Sequence, residues 1–122
     1  MSNKIRAIII DPFEREISET EIENNLEGLK SAIGDHWIEL VRINGQNDMY
    51  VDEEGLFREN QQFFVMSGSQ RKVPIAGKAV VVGSDTSTGE QINCNMPLDV
   101  IKEMVSFHSV LEMQIMSKRG DF

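Results

Sequence analysis

The chain has 122 residues and a net charge of −8, and 40% of its residues are apolar while 26% are charged. These values are ordinary for a globular domain with a real core. The excess of acids disfavours generic binding to DNA or RNA, because a negative protein repels a phosphate backbone.

Cysteine content and hydropathy restrict the cellular setting. Cys94 is the only cysteine, so an internal disulfide and a CxxC motif are both excluded. No apolar run approaches the ~18–20 residues that cross a bilayer. The N-terminal apolar run meets Asp11 too early for a signal peptide. We therefore expect a cytoplasmic protein without a membrane segment.

The N-terminal residues predict a β-hairpin. Residues 5–10 are rich in β-branched side chains and end at Asp11-Pro12, which is typical of a buried strand followed by a turn. Residues 14–22 predict an exposed strand that pairs back on the first. A helix start is the alternative, because Thr20 and Glu23 have the spacing of a capping box. We favour the strand.

A short helix and a second hairpin are predicted next. Asn24 or Asn25 is a suitable helix cap, and Gly34 is a suitable helix stop. Residues 36–43 alternate between apolar and polar side chains, as a strand does. The Asn-Gly dipeptide that follows is a strong turn signal, and residues 49–51 predict the returning strand.

The second half of the chain predicts a helical turn near residues 60–64, a core strand at 79–82 and a short strand at 91–95. Pro97 suits the first position of a helix, which we expect to run over residues 97–116. Its apolar side chains exceed what one buried face needs. It is predicted either to pack deeply or to form a subunit interface.

These elements predict one α+β domain over residues 1–122. We expect a mostly antiparallel sheet, a short helix after the first hairpin and a long apolar C-terminal helix.

Three consecutive carboxylates, Asp52, Glu53 and Glu54, form the most conspicuous acidic motif. Adjacent side chains of a strand point to opposite faces, so these groups are not expected to converge on one metal ion. An EF-hand alignment fails, because placing Gly55 at its glycine position puts Tyr50 at the first ligand position. The triplet therefore predicts a solvated turn or a surface that contacts a protein partner.

The chain's main basic cluster predicts an alternative site. Cations, an amide and aromatic faces are groups that bind a nucleotide-sized anion. This candidate site comprises Arg58, Asn60, Phe63, Phe64, Arg71, Lys72 and Lys78. The two histidines, His36 and His108, have no metal-ligand spacing, and Cys94 lies in no nucleophile motif. We predict no catalytic residue, no metal site and no cofactor.

The order of several motifs resembles a family of small proteins from phages, plasmids and integrated mobile elements that is known only as a domain of unknown function. The resemblance spans residues 4–85, and the residues after 85 lie outside it. It is carried by IDP at 10–12, IG at 33–34, IELV at 38–41, MYVDEEGL at 49–56, Asn60 and IAGKAVVVGSD at 75–85.

The resemblance implies an accessory protein in a bacterial cytoplasm, and it supplies no activity. Such proteins often act by binding, so our first hypothesis is a non-enzymatic, anti-defence role. Its acidic surface around Asp52, Glu53 and Glu54 would block a host or defence protein, and residues 98–116 would join a homo-oligomer. The alternative hypothesis is a protein that sequesters a nucleotide signal through the basic loop at 58–78.

Overall fold

The computed structural model describes residues 3–71 and 73–120, and it has the α+β architecture that the sequence predicts. In chain order the elements are β1 (Lys4–Asp11), β2 (Glu16–Glu23), α1 (Leu26–Ala32), β3 (Ile38–Arg42), β4 (Asn47–Asp52), β5 (Phe63–Met66), β6 (Ile75–Ala76), β7 (Ala79–Ser84), β8 (Gln91–Ile92), α2 (Leu98–Met104), β9 (Val105–His108) and α3 (Val110–Arg119). A 3₁₀ turn, Gly55–Phe57, follows β4. Within the described ranges, the helices are too short or too polar to span a membrane.

The strands pair into two antiparallel sheets. The larger sheet has the order β2-β1-β7-β4-β3, and β8 joins it by pairing with β7. The smaller sheet has the order β6-β5-β9. In the first hairpin Ile10 lies opposite Ile17, so the strand interpretation of residues 14–22 is confirmed and the helix alternative is wrong.

Both faces of the larger sheet are buried, because the sheet lies between two layers. Successive residues of β1 point to opposite faces. Ile8 and Ile10 therefore join the core formed with the smaller sheet and α2, while Ile5 and Ala7 join the core under α1. Residues 79–82 in β7 have no exposed surface. A strand covered on both faces reads as a continuous apolar run, which is the pattern in the sequence.

The boundaries of α1 follow from the residues at its two ends. The side-chain oxygen of Asn25 accepts a hydrogen bond from the backbone N–H of Gly28 at 2.8 Å, which makes Asn25 the N-terminal cap. After the helix, Gly34 adopts a φ of +94°, a conformation that suits glycine. Both predicted boundary signals are confirmed.

The prediction of one helix over residues 97–116 is wrong. α2 ends at Met104, β9 follows it in the smaller sheet, and α3 begins after Ser109. In β9 a β-branched residue and an aromatic residue, Val105 and Phe107, alternate with polar residues, which favours a strand when a partner edge is present. β5 supplies that edge, with Phe64 opposite Phe107. A new cap then starts α3, because the Ser109 hydroxyl accepts from the Glu112 N–H.

The predicted helical turn at residues 60–64 is also wrong. Phe63 and Phe64 belong to β5, and the 3₁₀ turn lies earlier in the chain. The two phenylalanines are β-formers whose positions are decided by pairing with β6 and β9. This difference matters for the candidate site, because it places both aromatic rings in buried positions.

Candidate functional site

A groove of about 630 Å³ lies beside the end of β4. Four segments that are distant in sequence meet there: the turn after β1, the residues after α1, the segment after β4 and the bend between β6 and β7. Their polar side chains in the groove are His36, Asp52, Arg58, Glu59, Asn60, Gln61 and Lys78. The groove therefore collects three of the predicted ligand-binding residues, Arg58, Asn60 and Lys78, together with Asp52 from the acidic triplet.

Asp52 and Arg58 form a two-point ion pair in this groove. Arg58 Nε donates to Asp52 Oδ2 at 3.0 Å, and Arg58 Nη2 donates to Asp52 Oδ1 at 3.2 Å. The Glu54 backbone N–H also donates to Asp52 Oδ1, at 2.9 Å. The Asp52 side chain is only 4% exposed, whereas that of Arg58 is 40% exposed. The carboxylate is thus a buried support that fixes the plane of a partly open guanidinium.

The surroundings of Asp52 favour its charged form. Burial acts to raise the pKa of Asp52, but the hydrogen bonds from Arg58 and the Glu54 N–H outweigh it, so the pKa lies below its ordinary value. The same hydrogen bonding, donated by Arg58 to Asp52, raises the pKa of Arg58. Both groups are therefore ionised at neutral pH, and their charges largely compensate each other.

His36 is the third member of this cluster. Its Nδ1 lies 3.0 Å from Arg58 Nη2, and its Nε2 lies 3.9 Å from Asp52 Oδ2. A guanidinium has donors and no acceptor, so Nδ1 must be the acceptor and a neutral His36 carries its proton on Nε2. The imidazole therefore takes up a guanidinium N–H that Asp52 leaves unused.

Backbone geometry brings Lys78 into the groove. Gly77 has a φ of +93°, and a side chain at this position would be strained in that conformation. Its N–H donates to the Gln62 carbonyl at 3.0 Å, which fixes the bend. Lys78 Nζ then lies 3.9 Å from Asp11 Oδ2. This weak, partly exposed pair leaves the ammonium accessible to a ligand.

The aromatic part of the predicted binding site is wrong. Phe64 has no exposed surface and Phe63 is also buried, so neither ring can stack on a ligand. Two other aromatic side chains line the groove: Phe57, which is 85% exposed, and Phe13, which is 41% exposed. A single exposed apolar side chain is ordinary in a folded protein, but these two rings lie in the same groove as the charged groups.

Among the described residues, one member of the predicted basic cluster, Arg71, does not line this groove. Arg71 forms an ion pair with Glu39, and it lines a smaller neighbouring cavity that shares Asp52, Gly55 and Phe57 with the groove. Lys72 lies outside the described residues. The basic cluster predicted from the sequence is therefore not one site. Arg58 and Lys78 are its described members in the groove.

The acidic triplet is also divided. Asp52 is buried in the ion pair, so its prediction as part of an exposed acidic surface is wrong. Glu53 and Glu54 are exposed. Further acids are exposed on β2, an edge strand of the larger sheet, where Glu19 forms an ion pair with Arg6 at 2.7 Å. Among the described residues, no group of three potential metal ligands is placed to hold an ion.

A family comparison covers most of the chain. The family model described as Domain of unknown function (DUF3846) matches residues 5–105. The chain belongs to this family. The match passes residue 85 and includes α2, so the family domain extends further than the sequence resemblance suggested. No curated protein and no solved structure matches the chain.

Several motifs that carried the resemblance to a domain of unknown function line the groove of this DUF3846 protein. IG supplies Gly34, the DEEG segment supplies Asp52 and Gly55, and the AGK segment supplies Gly77 and Lys78. Asn60, the one part of the resemblance that is a single residue, also lies in the groove. The groove is the leading candidate site because four separate segments bring charged, amide and aromatic side chains together there.

His36, Phe13 and Phe57 are groove residues that the sequence did not single out. Phe13 follows the IDP motif, where Asp11 Oδ1 accepts from the Phe13 N–H at 3.0 Å and fixes the turn. Phe57 ends the 3₁₀ turn. Their proximity depends on contacts between distant segments, and nothing in the local pattern around His36 identifies it as a neighbour of Arg58.

Proposed function

We propose that this protein is a non-enzymatic binding protein whose groove holds a small ligand with a flat ring and an oxyanion, such as a nucleotide. The observation that carries this proposal is the convergence of Arg58, Lys78 and Asn60 with two exposed aromatic rings in one groove. Of the two hypotheses drawn from the sequence, the sequestering of a nucleotide signal is the one that this geometry supports better.

The polar groups provide complementary donors for an oxyanion. Asp52 and His36 engage Nε and Nη2 of Arg58, and within residues 3–71 and 73–120 no protein acceptor bonds Nη1. Lys78 adds a charged donor that is free to rotate. Hydrogen bonds to charged donors contribute ~1.5–3 kcal/mol each when they are well formed. Two such donors suit a phosphate or carboxylate of low charge.

The aromatic side chains suit the flat part of the ligand. Stacking of a base on an aromatic ring contributes ~1–3 kcal/mol. Phe57 needs no rearrangement for this contact, because its ring is already exposed. Asn60 and Gln61 offer amide donors and acceptors at the same groove for the ring edge.

Thermal shift against mononucleotides, cyclic nucleotides and cyclic dinucleotides tests the proposal. A ligand at a hundredfold excess over its dissociation constant adds about 2.7 kcal/mol of stability. Lys78→Ala should weaken binding of any hit at least about tenfold, the loss expected for one charged hydrogen bond. Lys102→Ala, which removes an exposed lysine from α2, is the matched control. A flat panel refutes nucleotide binding.

We also propose the other hypothesis as a second candidate, on the observation that Glu53 and Glu54 are exposed side by side. In this role the protein is a mobile-element accessory protein in a bacterial cytoplasm, and it docks on a basic host or defence protein. Such docking should be salt-sensitive. Charge reversal by Glu53→Lys and Glu54→Lys should abolish a pull-down of that partner, while binding that ignores salt and both substitutions contradicts the candidate.

We also propose that the C-terminal segment joins copies of this chain into a homo-oligomer. Ile101 is fully buried within the monomer, so α2 is committed to the core. α3 has no buried residue, and Leu111 and Ile115 are exposed on it. Light scattering of the wild type and of Leu111→Glu tests this proposal: a dimer that becomes a monomer supports it, and a wild-type monomer rejects it.

A further inference from the structure

We propose that His36 occupies the position on the Arg58 guanidinium that a ligand oxyanion takes, so that oxyanion binding in the groove is coupled to uptake of one proton by His36. This inference rests on the proposed function, because it concerns how the same groove holds the anionic part of its ligand. It assigns His36 as a binding and specificity residue, and it names the bound chemistry as a sulfate- or phosphate-type oxyanion.

The hydrogen-bond inventory of Arg58 leads to this assignment. Asp52 takes the Nε–H and one N–H of Nη2, while His36 Nδ1 lies 3.0 Å from that same Nη2. An end-on oxyanion needs one N–H from Nη1 and one from Nη2. The N–H that completes this fork is therefore the one that a neutral His36 accepts. An oxyanion and a neutral His36 compete for the same donor.

Protonation changes His36 from a competitor into a supporting group. A protonated imidazole has an N–H on both nitrogens and no acceptor. Nδ1–H then faces the donor Nη2, which is unfavourable in the absence of an anion. Once the two groups move apart from their 3.0 Å separation, an oxyanion between them accepts from both. At the other nitrogen, Nε2–H points toward the Asp52 carboxylate at 3.9 Å, which stabilises the added charge.

Several other charged groups line the groove around His36. Asp52 faces His36 from β4, and Arg58 faces it from the segment after the 3₁₀ turn. Gly34, from the end of α1, presents no ionisable group. Glu59 and Lys78 line the same groove. Histidine is the side chain that ordinarily changes charge between about pH 5 and 8, so the coupling is assigned to His36.

Sulfate is the sharpest probe, because it stays doubly charged between pH 5.5 and 8 and its own titration adds nothing. Binding is followed by NMR, from the amide resonances of Gly34 and Gly77 at the groove. Uptake of one proton limits the gain in affinity to about tenfold per pH unit on acidification. We expect a clear gain between pH 8 and pH 5.5 in the wild type.

The matched variants are His36→Asn and His108→Asn, which replace the chain's two histidines in turn. An asparagine amide stays neutral, so His36→Asn should bind sulfate with an affinity that no longer changes with pH. His108→Asn should keep the wild-type pH profile. A merely structural role for His36 would lower affinity without removing the pH dependence. That outcome overturns the inference.

A measurement on the unmodified protein covers the case in which His36→Asn does not fold. The His36 ring resonances report its protonation directly, and sulfate should shift their titration to higher pH. Sulfate that binds equally well at both pH values, in a manner dependent on Lys78, overturns the coupling and leaves the proposed function intact. If sulfate moves no groove resonance at any pH, the coupling is wrong, and the nucleotide panel separately decides the proposed function.

Discussion

Replacing Asp52 with asparagine tests the ion pair at the base of the groove. The nearly isosteric amide has one acceptor oxygen, and its NH₂ group cannot bond to a guanidinium that is itself only a donor. The Asp52 carboxylate accepts three hydrogen bonds and is almost fully buried. Loss of a hydrogen bond to a charged group costs ~1.5–3 kcal/mol. We expect Asp52→Asn to lower the free energy of unfolding at pH 7 by about 2 kcal/mol.

The sign of the pH dependence follows from the depressed pKa of Asp52. A carboxyl with a lower pKa in the folded state stabilises the protein at any pH above its unfolded pKa, about 3.9. This contribution is lost as the pH falls from there through the folded pKa. The difference in stability between wild type and Asp52→Asn should therefore shrink as the pH falls below about 4.

Equilibrium urea unfolding at each pH measures this difference. Glu53→Gln is the matched control, because Glu53 is the exposed neighbour and its change should stay within about 0.5 kcal/mol. Equal stabilities of wild type and Asp52→Asn at pH 7 would show that the ion pair contributes nothing net. A difference that persists unchanged at the lowest pH would refute its assignment to the charge of Asp52.

Three further substitutions and one thiol reaction test the packing of the fold and of the groove. Gly55→Ala should cost about 1–3 kcal/mol in urea unfolding, because the added Cβ would lie 2.4 Å from a backbone carbonyl of β6, whereas at Gly45 a Cβ meets nothing within 4 Å. The Cys94 thiol should react slowly with a disulfide reagent at pH 8 until urea unfolds the protein, because burial raises its pKa; fast reaction in the native state contradicts this. Phe64→Ala should cost about 3–5 kcal/mol of stability, while Phe57→Ala should leave stability unchanged and weaken only ligand binding.

Local signals in the sequence predicted most of the fold. Turn dipeptides, alternation and helix caps act over a few residues, and these signals located the first hairpin, the start of α1 and the core strand β7. The prediction failed for the segment from Val105 to His108, because the helical pattern on either side of it conflicts with its own strand propensity. The edge of β5 decides the outcome, and that edge lies about forty residues earlier in the chain. A single sequence does not show this pairing.

The site was harder to predict than the fold, since burial decides which of its residues are accessible. Phe63 and Phe57 are both aromatic residues near Arg58 in sequence, yet the first is buried and the second is exposed. Asp52 and Glu53 are adjacent carboxylates, but Asp52 ends β4 and is buried, whereas Glu53 begins the turn that follows and is exposed. The sequence supplied the rule that such neighbours diverge, but it did not show which of them faces the interior.

The net charge of −8 restricts what the groove can hold. A chain of this length has a radius of gyration of about 14 Å. Taken at that distance, the net charge opposes each ligand charge by about 0.4 kcal/mol at 0.15 M salt and about 1.5 kcal/mol at 0.01 M salt. The Asp52–Arg58 and Asp11–Lys78 pairs leave little local positive charge to offset this repulsion.

A nucleoside triphosphate, with roughly two more charges than a monophosphate, should therefore bind more weakly, by about fourfold at 0.15 M and over a hundredfold at 0.01 M salt. Calorimetry with both ligands at the two salt concentrations measures this ratio, and a triphosphate that binds more tightly at low salt would show that a local cationic field dominates the groove.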